Sequence, residues 1–345
     1  MSSREPDGSL EQAFPVPIHE RPIFVIGAPR SGTTLLRYVL SSHPRIHIPP
    51  ESNFIPRFLR SRPGREFGRA DAVRVLETMM TYRSFFKDWR GERPDPTGLI
   101  ERFPDLVPST IIDAVFSEYA GQYGAERWGD KSPIYTMHVD VIARAFPTAQ
   151  FIHIIRDGRD VALSMQQTYR GGRFFYIDVF YGARSWKRRV LHASAAGARL
   201  GPSRYLEFRY EDLTANPETV IRDICEFLGE EYHPAMMHPS REAVRHHHSR
   251  GIHAATRKPL TTSRSGRWRT EMPLRDQRLV QAVAGDLLAA KGYEVARLGR
   301  MSIPERLRLA ALWGKFNSIQ AGRSALQAAG VFHPTSVLER MSKHR

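Results

Sequence analysis

The clearest chemical pattern in the chain is the run Ile23-Phe24-Val25-Ile26-Gly27-Ala28-Pro29-Arg30-Ser31-Gly32-Thr33-Thr34-Leu35-Leu36. An apolar stretch leads into a Gly-containing turn, and the turn opens an amphipathic helix. The backbone N–H groups of such a turn and the positive end of the helix dipole converge on one anion, so a nucleotide phosphate is the natural occupant. The spacing is that of G-x-x-x-x-G-K-[ST], except that Thr33 stands at the lysine position. A kinase or NTPase needs that lysine on the terminal phosphates, and an Asp at the end of another strand to hold Mg²⁺. Here the second apolar run, Phe151-Ile152-His153-Ile154-Ile155, ends in Arg156. A cation at that position repels Mg²⁺ and attracts phosphate. The two strand ends therefore describe a metal-free, doubly cationic anion site, with Arg30 in the first loop and Arg156 at the second.

These residues need elements to hold them. The apolar run from Ile23 predicts a strand, and Leu35, Leu36, Val39 and Leu40 predict a helix over 33–42 that ends before His43-Pro44. Residues 51–127 are rich in Arg, Pro and aromatics, with broken helical patterns around 73–81 and 111–119, and read as a helical insertion that shapes an acceptor site. Val139, Ile142, Ala143 and Phe146 predict a helix over 135–146, and 151–155 suits a buried parallel strand. A helix over 159–169, a strand over 205–208 and a helix over 217–228 closed by Gly229 follow. Strands alternating with helices predict an α/β protein with a parallel sheet covered on both faces. Residues 240–275 read as a basic, His-rich loop, 277–291 as a helix stopped at Gly292, and 303–316 as a basic amphipathic stretch.

With 345 residues, 41% hydrophobic and 25% charged, the chain has the composition of a soluble globular protein of one large or two modest domains. The expected division is a flexible lead over 1–20, the main domain over 21–298 and a basic helical extension over 299–345. A net charge of +15 implies an anionic partner: nucleic acid, an acidic membrane surface or a polyanionic small ligand. Residues 1–20 lack an apolar segment of signal-peptide length and no 18-residue apolar run follows, so a cytoplasmic location is expected. The single cysteine, Cys225, lies in an apolar helical pattern and reads as a small buried hydrophobe. His246-His247-His248, with His253 nearby, raises the question of a metal. Three consecutive imidazoles cannot all face one ion from regular structure, so a solvated basic loop is expected and no metal is assigned.

The segment 28–35 resembles the loop that binds the 5′-phosphosulfate in sulfotransferases that use 3′-phosphoadenosine 5′-phosphosulfate (PAPS). Phe151-Ile152-His153-Ile154-Ile155-Arg156-Asp157-Gly158-Arg159-Asp160, with Ser164 eight residues after Arg156, resembles their 3′-phosphate motif. Within that superfamily the likeness is strongest to tyrosylprotein sulfotransferases and their bacterial relatives. It runs through His43-Pro44, Glu51-Ser52-Asn53-Phe54-Ile55-Pro56, Asp130-Lys131-Ser132-Pro133, Arg209-Tyr210-Glu211-Asp212-Leu213, and Lys258-Pro259 with Trp268 ten positions later. The matching segments lie between residues 22 and 295, and their order and joint presence are more specific than any one of them.

The resemblance implies a P-loop-like sulfotransferase fold, with a central parallel sheet flanked by helices and with helical insertions, that transfers a sulfuryl group from PAPS to an acceptor hydroxyl or amine and leaves PAP. A sulfuryl group carries less charge than a phosphoryl group, so backbone N–H donors, hydroxyls and one or two cations stabilise its in-line transfer without a metal. The nucleotide-binding set is Arg30, Ser31, Gly32, Thr33, Thr34, Leu35, Arg156 and Ser164, with Tyr210 lining the nucleotide and Arg257, Lys258 and Trp268 closing over it. Glu51 matches the Glu that serves as general base in tyrosylprotein sulfotransferases; His47 is the rival, because imidazole titrates in the right range. Lys131 stands where the resemblance places a Lys that neutralises charge on the sulfuryl or bridging oxygen, or else forms a salt bridge with Asp130.

Three other readings compete with this one. A degenerate P-loop kinase would bind ATP with Mg²⁺, and the missing Lys argues against it. A nucleic-acid-binding protein would show a continuous basic patch with stacking aromatics, whereas the cations here are scattered, so no nucleic acid is expected. A membrane-surface protein is the third, and the basic C-terminal stretch leaves peripheral membrane contact as a secondary expectation. The acceptor is a small molecule, lipid, glycan or peptide, and a homodimer is possible.

Overall fold

A computed structural model describes residues 21–61, 66–82, 85–90, 93–101, 103, 105–169, 178–239 and 264–328. Lys258, Arg257 and the histidines at 246–248 and 253 lie outside the described residues. The chain forms two compact units, one of residues 1–27, 32–155 and 191–261, the other of residues 28–31, 156–190 and 262–345.

The first unit is built on a sheet of five parallel strands: β1 (Ile23–Ile26), β2 (Ile46–His47), β3 (Arg127–Lys131), β4 (Gln150–Ile155) and β5 (Tyr205–Arg209), in the order β2-β3-β1-β4-β5. β1 is central, with Val25 beside Lys131 of β3 on one side and Ile152 of β4 on the other. Side-chain alternation divides the core in two. Phe24, Ile26 and Phe151 join the aromatic cluster of α2 (Ile55–Ser61), α3 (Arg69–Met80), α4 (Pro96–Glu101), α5 (Pro108–Gly121) and α6 (Val139–Ala145). Ile23, Val25, Ile152 and Ile154 pack instead with α1 (Thr33–Leu40) and with residues of two later helices, Tyr210–Ala215 and Pro217–Leu228. The chain leaves β1 toward β2 and β3, then returns past β1 to β4 and β5. The C-terminal end of β1 is therefore the switch point where open α/β sheets bind ligands. The α/β class, the parallel sheet covered on both faces and the helical insertion at 51–127 are as the sequence predicts.

β3 does not read as a strand in the sequence because three of the five residues of Arg-Trp-Gly-Asp-Lys are charged, yet all five are buried. Its charges are answered locally. Arg127 donates to the Arg21 and Leu228 carbonyls at 2.9 and 2.8 Å, to Glu230 at 3.1 Å and to Gln150. The helix expected over 135–146 is interrupted. Residues 133–137 form a 3₁₀ turn, His138 adopts φ −138°, and α6 starts after it. The buried Thr136 hydroxyl bonds both the N–H and the carbonyl of Gly27 at 2.9 Å, and so ties this turn to the end of β1.

In the second unit, α7 (Gly158–Tyr169) packs on the first half of α8 (Val179–Leu200), a helix the sequence reading does not identify. The approach is close enough that a Cβ on Gly182 would lie 2.8 Å from the Ala162 Cα. The short helix Trp268–Glu271 and the helices Leu274–Ala290 and Ile303–Ala328 complete it; the last extends well past the 303–316 stretch expected. Arg308 joins Asp276 and Asp178 at 2.8 and 2.9 Å. None of the described helices is long and apolar enough to cross a membrane.

Gly32 caps α1 at φ +98°, and a Cβ there would lie 2.5 Å from Tyr210 Cδ2. Left-handed strain and the ring contact together predict that Gly32→Ala destabilises the protein by about 2–4 kcal/mol. Gly121→Ala, with open space around it, is expected to fall within about 1 kcal/mol of wild type in the same urea titration.

Candidate functional site

In the first unit the loop after β1 becomes helix at Gly32. The first helical hydrogen bond of α1 runs from Leu36 N–H to the Gly32 carbonyl at 3.0 Å, so the N–H groups of Thr33, Thr34 and Leu35 precede it. They form the anion-facing end of the helix. Thr33 and Thr34 are 4% and 8% exposed. The Leu35 side chain belongs to the core, so only its backbone is available to a ligand. Glycine is required at both ends of the loop: a Cβ on Gly27 would sit 2.6 Å from the Ile154 carbonyl, and Gly32 lies against the Tyr210 ring. Tyr210 thus backs the loop.

Lys131, at the C-terminal end of β3, is 1% exposed in its side chain. Its ammonium donates to Thr34 Oγ1 at 3.3 Å and to Glu51 Oε1. Three residues singled out from the sequence, Thr34, Glu51 and Lys131, are therefore in direct contact. Lys131 pairs with Glu51 rather than with its neighbour Asp130. Glu51 keeps 37% of its side chain exposed. His47 lies in an aromatic stack, with its ring 3.8 Å from that of Tyr123 and 5.6 Å from that of Tyr119.

Sequence reasoning gave Asp130 no role beyond that of a partner for Lys131. It is fully buried, and its carboxylate accepts from Ser132 Oγ at 3.1 Å and from Ser52 Oγ. The Tyr135 hydroxyl also meets Ser52. Burial pushes the Asp130 carboxyl up to about 6, against the lowering effect of hydrogen bonds from Ser52, Tyr135 and Ser132. The one sequence signal is the juxtaposition of Asp130 with Lys131 and Ser132.

In the second unit Arg30, Ser164 and Arg156 are linked. Arg30 holds φ +74°, unusual for a residue with a side chain, and its Nε donates to Ser164 Oγ at 3.1 Å. Arg156 donates to the Arg30 carbonyl at 3.2 Å and to the Arg264 carbonyl, and lies 3.6 Å from Asp160. Asp160 accepts the N–H groups of Gly266 and Trp268 at 2.8 and 2.9 Å, which fixes residues 264–268 around Arg156. Burial raises the Asp160 carboxyl. Ser31 is fully buried and its hydroxyl has no hydrogen-bond partner among the described residues, an arrangement suited to donating to an anion. Trp268 is 2% exposed, with the Arg159 guanidinium 3.6 Å over its ring; it packs inside this unit. Among the described residues no group of three or more His, Cys, Asp or Glu lies together as a metal site would.

Five parallel strands in the order β2-β3-β1-β4-β5, flanked by helices and with a glycine-bounded turn at the switch point, define the P-loop-like α/β class. The profile described as "Sulfotransferase family" matches residues 22–234, and the chain belongs to that family, an enzyme of the PAPS-dependent sulfotransferase class. Protein-tyrosine sulfotransferase 1 of Danio rerio is 26% identical over 285 residues, covering 79% of this chain and 72% of the relative. Nodulation protein NoeE of Sinorhizobium fredii (strain NBRC 101917 / NGR234) is 28% identical over 293 residues, 79% of this chain and 65% of the relative. Among solved structures, the sulfotransferase domain from the Synechococcus PCC 7002 olefin synthase has the same fold, with a TM-score of 0.54 at 21% identity over 82% of this chain and 99% of that chain.

The raised Asp130 carboxyl has a consequence for stability. Well below pH ~4 Asp130 is protonated in both folded and unfolded chains. As pH rises from about 4 to 6 the unfolded chain ionises first, so folding loses on the order of 2–3 kcal/mol from this group. Asp130→Asn removes the effect: urea midpoints at pH 4, 5, 6 and 7 should show its stability relative to wild type improving as pH rises. Parallel pH curves would contradict the assignment.

Proposed function

We propose that this enzyme moves the sulfuryl group of PAPS to an acceptor hydroxyl or amine, with Glu51 as the general base. The observation that carries the reading is the double contact of the Lys131 ammonium, which touches Thr34 in the anion-facing turn of α1 and the Glu51 carboxylate. The bound donor would supply an activated sulfuryl group whose sulfur–oxygen bond to phosphate breaks as the acceptor oxygen or nitrogen attacks, leaving PAP. The residues present fit such a ligand: the Ser31 hydroxyl is buried and has no partner among the described residues.

In this reading Arg30, Ser31 and the N–H groups of Gly32, Thr33, Thr34 and Leu35 hold the 5′-phosphosulfate, and Arg156 with Ser164 holds the 3′-phosphate. Glu51 takes the acceptor proton. Lys131 neutralises charge that grows on the oxygen leaving sulfur, and holds the Glu51 carboxylate in place. Tyr210 shapes the loop through Gly32, and Trp268 supports Arg159 and the segment around Arg156. The names of the relatives favour an acceptor that presents a hydroxyl group on a larger molecule.

Two substitutions separate donor binding from proton removal. Glu51→Gln should lower kcat by about 10²–10⁴-fold while PAP affinity stays within about threefold of wild type. Arg156→Ala should weaken PAP by about 10–100-fold in calorimetry with EDTA present, the loss expected for charge-assisted hydrogen bonds. No detectable PAP binding by the wild-type protein, or binding that requires Mg²⁺, would sink the reading.

A further inference from the structure

Two adjacent residues of the turn after β2 grip two adjacent residues at the end of β3. Glu51 meets the Lys131 ammonium, and Ser52 meets the Asp130 carboxylate. Successive side chains of a strand point to opposite faces, so Asp130 and Lys131 leave β3 on opposite sides and the turn is held from both. The two grips differ in character. Glu51 is partly open, whereas Ser52 and Asp130 are both 0% exposed and bonded to each other.

The enclosed grip also fixes the backbone of the turn. Ser132, which donates to Asp130, accepts the Asn53 N–H at 3.3 Å, and the Tyr135 hydroxyl, which meets Ser52, accepts the Ile55 N–H at 3.2 Å. Asn53 itself sits at φ +59°, a left-handed conformation that persists only where its surroundings impose it. We propose that Asp130 is a positioning residue: acting through Ser52, it locks the 51–55 turn and holds the Glu51 carboxylate against Lys131 in the orientation needed to take the acceptor proton. The proposal rests on the reading of Glu51 as the base. Asp130 is enclosed and reaches no reacting group, so its effect on the rate runs through Glu51.

The test is a double-mutant cycle with water as the acceptor, read as sulfate released from PAPS, so that the natural acceptor does not enter. Asp130→Asn and Ser52→Ala should each lower kcat by about 10–100-fold, with KM for PAPS and calorimetric PAP affinity within about threefold of wild type. Ser52→Thr, which keeps the hydroxyl, should recover most of the rate. In a Glu51→Gln background the same two substitutions should cost less than a further twofold. Independently of activity, a crystal structure of Ser52→Ala should show the Glu51 carboxylate out of hydrogen-bond reach of Lys131 Nζ. If Asp130→Asn fails to fold, Ser52→Ala carries the cycle alone. Losses that multiply with Glu51→Gln, wild-type rates in Ser52→Ala, or a Glu51 still seated on Lys131 in that crystal would overturn the positioning role. A wild-type rate in Glu51→Gln alone would instead overturn the assignment of the base.

Discussion

A lysine ammonium closed off from water must have its charge answered within a few ångströms, or the fold that encloses it is unstable. Lys131 sets that condition at the end of β3, and much of the first unit meets it. The Glu51 carboxylate reaches it from the turn after β2, and the Thr34 hydroxyl from the first turn of α1. β3 and β1 are hydrogen-bonded neighbours, with Lys131 beside Val25, so the cation is carried to the switch point by sheet register. Placing Lys131 there in turn requires that Asp130, one residue earlier and on the other face, be buried and bonded, which is what Ser52, Ser132 and Tyr135 do.

The same logic explains which elements were legible in the sequence. β1, β4 and β5 follow from apolar runs bounded by turn residues, and α1 from its spacing of leucines. β3 was invisible because its residues are buried by pairing rather than by being apolar; nothing in Arg-Trp-Gly-Asp-Lys tells a reader that Gln150, Glu230 and Ser52 will meet those charges. The long helix α8 was missed for another reason. Its buried positions include small residues, Gly182, Ala183, Ala193 and Ala196, that let neighbouring backbones approach closely and leave a weak hydrophobic signal. The break at His138 is likewise a tertiary effect, since Thr136 is committed to both polar groups of Gly27.

For the site, spacing and chemical type were enough to select Arg30, Thr34 and Arg156, and resemblance added Ser164, Glu51 and Lys131. The structure brings Arg30, Arg156 and Ser164 together in one unit, and Thr34, Glu51 and Lys131 together in the other. Sequence could not show that Tyr210 and Trp268 are packed side chains, one behind the loop glycine and one beneath Arg159. Nor could it show the Asp130 network, because a buried polar cluster is defined by partners 78 and 83 residues apart along the chain.

The central claim is that Glu51, seated on Lys131, faces the group transferred from a nucleotide held by the loop after β1. A crystal structure of the wild-type enzyme with PAP and a bound acceptor tests this most directly. The account predicts the 5′-phosphate on the N–H groups of residues 32–35 and the Ser31 hydroxyl, the 3′-phosphate on Arg156 and Ser164, and the acceptor's hydroxyl or amine within hydrogen-bond distance of the Glu51 carboxylate. An acceptor bound with its nucleophile on His47, or on no side chain able to take a proton, would contradict it.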